Sequence, residues 1–297
     1  VFEEIQNHMN WARMKQIHKG WSNDVKYYIE TDIGQKLLLR TSSIEHYQEK
    51  KKEFDIIGKY SALGFDMSKP VDFGILNEGQ SVYMLLTWVE GQDLEGVLPK
   101  LQRDEQYRLG REAGVILSKI HSIQIPADEL PTEIKINKKK AQLQKYINSD
   151  VRIQGDEIAI EFIINNIHKI WSKPPVYQHG DFHPGNLIFT PDKKIGVIDF
   201  NRWEIGDPYE EFYKLESFGT DVSIPYCIGQ IHAYFNDDVP AEFWDILAVY
   251  VAHAALYSIK WAERFGQADI ENMVRICKKT FYHYDNFRKS VPDWYSK

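Results

Sequence analysis

The stretch "VYQHGDFHPGNLIFTPDKKIGVIDFN", Val176 to Asn201, sets carboxylates, imidazoles and amides among strand-formers and turn residues. His179, Asp181 and Asn186 fall in the frame H-x-D-x-x-x-x-N, and Asp199 ends the apolar run "IGVID" that follows. Asn and Asp side chains offer the hard oxygen donors that a small divalent cation such as Mg2+ prefers. A carboxylate in Asp181's position can accept a hydrogen bond from a hydroxyl and so orient it. With an ordinary pKa of about 4 it is far too weak a base to ionise an alcohol beforehand. The chemistry to expect is therefore orientation with late proton transfer, next to a divalent metal.

That frame matches, position for position, the catalytic loop of protein kinases, and "LIF" with "IGVIDF" reads as a hairpin delivering Asp199-Phe200-Asn201 where kinases place Asp-Phe-Gly. With Gly180 after the His and "PGN" after "DFH", the segment resembles the aminoglycoside phosphotransferase and choline kinase branch of the kinase-like fold. "GDPYEEF", Gly206 to Phe212, is similar to their "DP-x-x-D-L" segment, with Glu211 where Asp is more usual. The resemblance runs through nearly the whole chain in order and is sharpest from His179 to Phe212. It implies an α+β, two-lobed protein-kinase-like fold: a small antiparallel N-terminal sheet with one helix, then a larger, mostly helical lobe. It also implies an ATP- and Mg2+-dependent transfer of phosphate to a hydroxyl of a small molecule, with GTP the other nucleotide to consider. Asp181 is then the catalytic carboxylate, Asn186 and Asp199 are the metal ligands, and the transition state is loose. His179 is expected as a hydrogen-bonding strut under the loop. His183 either stabilises the loop or contacts the phosphates and acceptor.

The first lobe must then clamp the nucleotide. "KLLLR" ends in Arg40 where kinases carry a strand lysine, and Arg keeps the charge and binds phosphate in a bidentate way. Its helical partner is expected to be Glu53, with Glu49 one turn earlier as the alternative; otherwise both glutamates face solvent. In the turn "HKGWSNDVK" Ser22 and Asn23 are the candidate phosphate donors. In "MLLTWVEG" Leu86 is expected behind the adenine, with the backbone of Thr87 and Val89 on its edge.

For the acceptor, Glu204, Asp207, Glu210 and Glu211, with Glu216 nearby, form a local acidic excess that suits an amino sugar of the aminoglycoside type. The chain would then be an antibiotic-resistance-type kinase. Asp207 is equally a helix cap and brace. Trp203, Tyr209, Trp244, Tyr250 and Trp261 form either a cage for a quaternary ammonium or ordinary core. Choline, a thiosugar or a vitamin alcohol is the second acceptor class. A non-catalytic nucleotide-binding protein is the alternative of another kind, opposed by the presence of Asp181, Asn186 and Asp199 together. Nothing after Asp199 resembles the activation segment of a protein kinase.

The elements that must position these residues follow from the rest of the sequence. The 297 residues suffice for two lobes, and 43% hydrophobic with 27% charged residues is ordinary for a globular protein. Strand-like alternation fills residues 1–86, interrupted by the helix "IEHYQEKKKEFDIIGKYSALG", whose apolar side is read as Tyr47, Phe54, Ile57 and Leu63. Residues 87–91 read as a hinge and 92–297 as the helical lobe, with the catalytic hairpin inside it. In "DEQYRLGREAGVILSKIHSI" Leu109, Ala113, Ile116, Leu117 and Ile120 share one face. A net charge of -7 argues against a nucleic-acid partner. Two cysteines make no disulfide framework or metal cluster, consistent with a reduced cytoplasm. "ILAVYVAHAALYSI" is shorter than the roughly 20 residues a bilayer needs, so a buried helix and no membrane contact are expected. The opening residues lack the basic and apolar regions of a secretory signal, and the missing Met points to trimming. A monomer or homodimer is expected.

Overall fold

The computed structural model describes residues 2–5, 8–18 and 24–295. The chain opens with strands β1 (Trp11–Ile17), β2 (Val25–Thr31) and β3 (Lys36–Ser43). Helix α1 (Tyr47–Ser61) leads to β4 (Asp66–Met67), β5 (Pro70–Leu76), β6 (Ser81–Thr87) and the short β7 (Gln92–Asp93). Helices α2 (Leu94–Val97), α3 (Arg103–His121), α4 (Ile136–Ile147) and α5 (Glu157–Asn166) precede β8 (Val176–Gln178). The hairpin β9 (Leu187–Phe189) and β10 (Ile195–Val197) and the strand β11 (Glu204–Gly206) come next. Helices α6 (Ile224–Tyr234), α7 (Ala241–Ala262) and α8 (Gln267–His283) complete the order.

Five strands pair antiparallel in the order β1-β2-β3-β6-β5. Side chains alternate across a strand, so Leu37 and Leu39 of β3 share one face, packed with Ile5, Ile29, Leu76, Tyr83 and Leu85. Arg40 therefore points to the opposite face, where α1 supplies its partner. The helix is turned from its expected apolar side. Lys50, Glu53, Ile56, Ile57 and Tyr60 are buried, whereas Tyr47 and Phe54 are half-buried against Phe73. Charged residues enter the interior there because each finds an opposite charge.

A second sheet, β4-β10-β9-β7, pairs β10 parallel to β4 and antiparallel to β9, and β9 antiparallel to β7. These backbone bonds bring the hairpin into the first compact unit, residues 1–94 with 186–201. The sequence reading, with its boundary at 87–91, had counted that hairpin with the helical part. The second unit comprises residues 95–185 and 202–297.

In the second unit the expected stripe of α3 is buried throughout, and Gly110 and Gly114 join it. They let α3 approach α6 to backbone contact: a Cβ on Gly110 would overlap the carbonyl oxygen of Tyr226. Helix α7 is buried from Ile246 to Leu256 and again at Ile259. No helix among the described residues is long and apolar enough to cross a membrane. Cys227 and Cys277 are buried and unpaired, and burial pushes the Cys277 thiol up to about 12.

Gly110→Ala should lower the unfolding free energy by about 1–3 kcal/mol, because overpacking here meets backbone and not a movable side chain. Gly96→Ala in α2, with open space around the added methyl, should be neutral or mildly stabilising. Urea denaturation of the two variants checks the contrast.

Candidate functional site

The first unit contributes a buried charge quartet. Arg40 lies on β3 opposite Lys26 of β2 and Met84 of β6. Its Nη1 donates to Glu53 Oε1 at 2.5 Å, while Nε and Nη2 donate to Asp24 Oδ2 at 2.9 and 2.5 Å. Lys50 Nζ donates to Asp24 Oδ2 at 2.9 Å and Glu53 Oε2 at 3.2 Å, and Ser42 Oγ donates to Asp24 Oδ1 at 2.5 Å. Glu53 is thus the partner of Arg40; Glu49 is exposed and lies 3.3 Å from His46. Asp24 and Lys50 were not singled out from the sequence. The signal available was that Asp24 is the acid of the turn facing a strand arginine. Burial alone would raise the Asp24 carboxyl, but Arg40 and Lys50 pull it down to about 2. Ser22 and Asn23 lie outside the described residues.

Asp199 follows β10 in a left-handed conformation, φ 63°. Phe200 anchors it: the ring is 1% exposed and lies 5.6 Å from Tyr60 of α1, one helical face with Glu53. The N–H of Ile198 donates to the Asn186 carbonyl at 3.2 Å, tying Asn186 to the same segment. Asp199 Oδ2 lies 3.9 Å from Lys26 Nζ, and its Oδ1 is buried without a hydrogen-bond partner. An unsatisfied buried carboxylate oxygen is costly, and a bound cation would satisfy it. Among the described residues no three His, Cys, Asp or Glu side chains form a metal-holding group. Magnesium, however, commonly takes one or two protein oxygens and the rest from phosphates and water. The Asn186 amide and the Asp199 carboxylate fit that donor set.

Leu86, expected behind the adenine, is buried. The Thr87 N–H already donates to the Lys69 carbonyl at 2.8 Å, and Thr87 Oγ1 accepts from the Lys69 N–H at 2.9 Å. The Thr87 N–H is thus committed to Lys69. Val89 lies beyond the end of β6 and is half-buried.

In the second unit, Glu211 holds the loop that carries Asp181. It is 3% exposed and accepts the backbone N–H of His179 at 2.9 Å and of Gly180 at 2.6 Å. His121 Nε2 lies 3.2 Å from the same carboxylate. Burial would raise the Glu211 carboxyl, but these donors hold it below the usual range. Gly180 has φ 80°, and a Cβ there would overlap the Arg202 carbonyl oxygen, so this position demands glycine. The Asp181 N–H donates to His179 Nδ1 at 3.2 Å, which makes the buried His179 the strut expected. Asp181 Oδ1 is 2.5 Å from Lys214 Nζ and 3.7 Å from His183 Nε2, while Oδ2 is 3.7 Å from Arg202 Nε. Burial opposes its charge, yet Lys214, then His183 and Arg202, hold Asp181 ionised well below the carboxylate range. Burial also lowers His183 to about 4, so its imidazole is neutral near pH 7. It packs 4.9 Å from the Phe218 ring, and its Nδ1 accepts from the Gly185 N–H at 3.2 Å.

The acidic run is not the open cluster the sequence suggested. Glu204 pairs with Lys135, and Glu210 with Lys139. Asp207 is fully buried, accepting from the Trp171 N–H at 2.7 Å, the Tyr209 N–H at 3.0 Å and the Tyr250 hydroxyl at 2.8 Å. Glu216 accepts from Trp294 Nε1 at 2.6 Å and lies 2.8 Å from His283 Nδ1. Asp207 and Glu211 are braces whose oxygens face inward, so the substrate-binding role expected of them is corrected. Trp203 is half-buried just before β11. Tyr209, Trp244 and Tyr250 are buried in packing, and the Trp261 ring lies 5.8 Å from the Arg202 guanidinium and 5.0 Å from that of Arg264. The chain's own cations occupy the aromatic ring that a quaternary ammonium would need.

The model of a family described as the phosphotransferase enzyme family matches residues 13–244. The chain belongs to this family. Over 137 residues it is 30% identical to an aminoglycoside 3'-phosphotransferase of Escherichia coli, covering 43% of this chain and 49% of the relative. It thus spans about half the length of the curated relatives it matches. Among solved structures it resembles the GDP complex of aminoglycoside 2'-phosphotransferase-IIIa, with TM-score 0.69, 16% identity and coverage of 92% of this chain and 93% of that one. An amicoumacin kinase complexed with AMP-PNP and Ca2+ matches with TM-score 0.66, 12% identity and coverage of 94% and 90%. The fold is the α+β protein-kinase-like fold of such kinases.

The quartet makes stability depend on acid. A carboxyl whose pKa falls on folding binds its proton more tightly in the unfolded chain. Asp24's contribution, about 2 kcal/mol, is therefore complete above its ordinary 3.8 and fades as pH drops to about 2. Asp24→Asn should be less stable at neutral pH and show a shallower loss across that window, measured by chemical denaturation at a series of pH values.

Proposed function

We propose that the chain transfers the terminal phosphoryl group of a nucleoside triphosphate, ATP with GTP as the alternative, to a hydroxyl of a small molecule, with Mg2+ as cofactor. The observation that carries this reading is Asp181, a carboxylate fixed through the Glu211-held loop and kept ionised beside Lys214. Such a group accepts a hydrogen bond from the acceptor hydroxyl and aims its oxygen, and takes the proton late. Asn186 and Asp199 would hold the metal, which when bound offsets the negative charge of the phosphates. Arg40 and Lys50 are the candidate phosphate clamp, exchanging Asp24 for the ligand's oxygens.

Amino sugars are the acceptor class that the relatives support, since curated relatives include aminoglycoside 3'-phosphotransferases. A second reading is favoured by the pairing of Glu204 and Glu210 with lysines and by the inward use of Asp207 and Glu211. With those carboxylates committed, an uncharged or anionic alcohol suits this region as well as a polycation. A cytoplasmic location is part of the proposal, as is the absence of a nucleic-acid partner.

An ADP-release screen over aminoglycosides, choline, thiosugars, hydroxy acids and vitamin alcohols separates these readings. Turnover of aminoglycosides alone supports the first, and turnover of an uncharged or anionic alcohol supports the second. Nucleotide binding with silence across the panel would favour a non-catalytic role. Asp181→Asn should lower turnover by about 10²- to 10⁴-fold with nucleotide affinity nearly unchanged. Asp199→Asn should instead weaken nucleotide binding in the presence of Mg2+ and leave metal-free binding unaltered, which calorimetry with and without the metal measures.

A further inference from the structure

We propose that Lys214 is the positioning residue for Asp181, fixing the orientation of its carboxylate; the inference rests on the phosphotransferase reading. The sequence frame does not flag Lys214, which lies outside the stretch from His179 to Phe212. It is 4% exposed, with Nζ 2.5 Å from Asp181 Oδ1 and 5.0 and 5.4 Å from the rings of Tyr213 and Phe218. Burying an ammonium is expensive unless an anion compensates it, so this placement is held by its pairing with Asp181.

The backbone that delivers Lys214 is unusual. Leu215–Gly219 forms a π-helical turn, with the Thr220 N–H donating to the Leu215 carbonyl at 2.8 Å. Such single turns insert one residue into a helix and often mark functional positions. One residue rotates a helix by about 100°. Lys214 immediately precedes this turn, and Glu216 within it is fixed by Trp294 and His283.

The charges facing Asp181 divide by oxygen. Oδ1 is taken by Lys214, with the neutral His183 behind it, whereas Oδ2 faces the exposed Arg202 at 3.7 Å. Lys214 thereby removes the rotational freedom of the carboxylate and keeps it ionised in acid, where a free Asp would be protonated.

The test uses the full chain, Lys214→Met and Lys214→Arg, with steady-state ATP hydrolysis as the readout, water replacing the alcohol so that no acceptor need be known. Lys214→Met should lower kcat by about a hundredfold with the KM for ATP near the parent's value, and Lys214→Arg should restore most of it. The Asp181 carboxyl carbon, followed by NMR, should titrate near pH 4 in Lys214→Met and remain ionised there in the parent and in Lys214→Arg. An unchanged rate with an unchanged titration would overturn the proposal. So would a loss of rate that Lys214→Arg does not recover although its titration matches the parent. A parent chain that neither binds nor hydrolyses ATP would instead sink the phosphotransferase reading, and the carboxyl titration would still decide the pairing.

Discussion

A buried carboxylate accepting two successive backbone N–H groups underlies the second unit's part of the site. Glu211 holds His179 and Gly180 by their amides, and the loop can then pass through the left-handed conformation of Gly180 against the Arg202 carbonyl. Without that brace the polar backbone would be buried with no partner, a cost comparable to a lost hydrogen bond for each group. With it, His179 supports the Asp181 amide, and a side chain on a short loop acquires a fixed direction. The longer Glu at this position serves because both of its oxygens reach the loop and His121 supports it from behind.

Pairing of charge recurs at each buried polar point. The first unit encloses two cations, Arg40 and Lys50, with two anions, Asp24 and Glu53. The second places Lys135, Lys139 and Lys214 on Glu204, Glu210 and Asp181. Asp199 lies 3.9 Å from Lys26 through Oδ2, while its Oδ1, like Glu210 Oε2, is buried with nothing donating to it. Of these two open carboxylate oxygens, that of Asp199 belongs to the residue proposed to bind metal.

Much of this was legible in the sequence, and the limits were physical. The His179–Asn186 frame and the hairpin ending at Asp199 could be read because turn and strand chemistry fix them locally. The buried face of α3 could be read because its apolar residues follow the helical period. Glu53 as the partner of Arg40 followed from the need to neutralise a buried guanidinium. The buried face of α1 was read correctly at Glu53 and Ile57 but missed at Lys50, which looks solvent-facing until Asp24 is placed beside it. Lys214 was missed for the same reason, and a π-helical turn leaves no periodic signature. Glu204 and Glu210 were read as part of an open acidic surface because their neutralising lysines come from α4 and the segment before it, far away in sequence.

The enclosure of Asp24 has a consequence for selectivity among anions. Arg40 and Lys50 are already matched by a tethered carboxylate, and matched cations are poor bait for stray chloride or a single small oxyanion. Because the pairs are shielded from water, dissolved salt does little to loosen them. On the proposed clamp role of Arg40 and Lys50, only a guest with several linked negative groups would repay the eviction of Asp24, and the quartet would act as a threshold against simple ions.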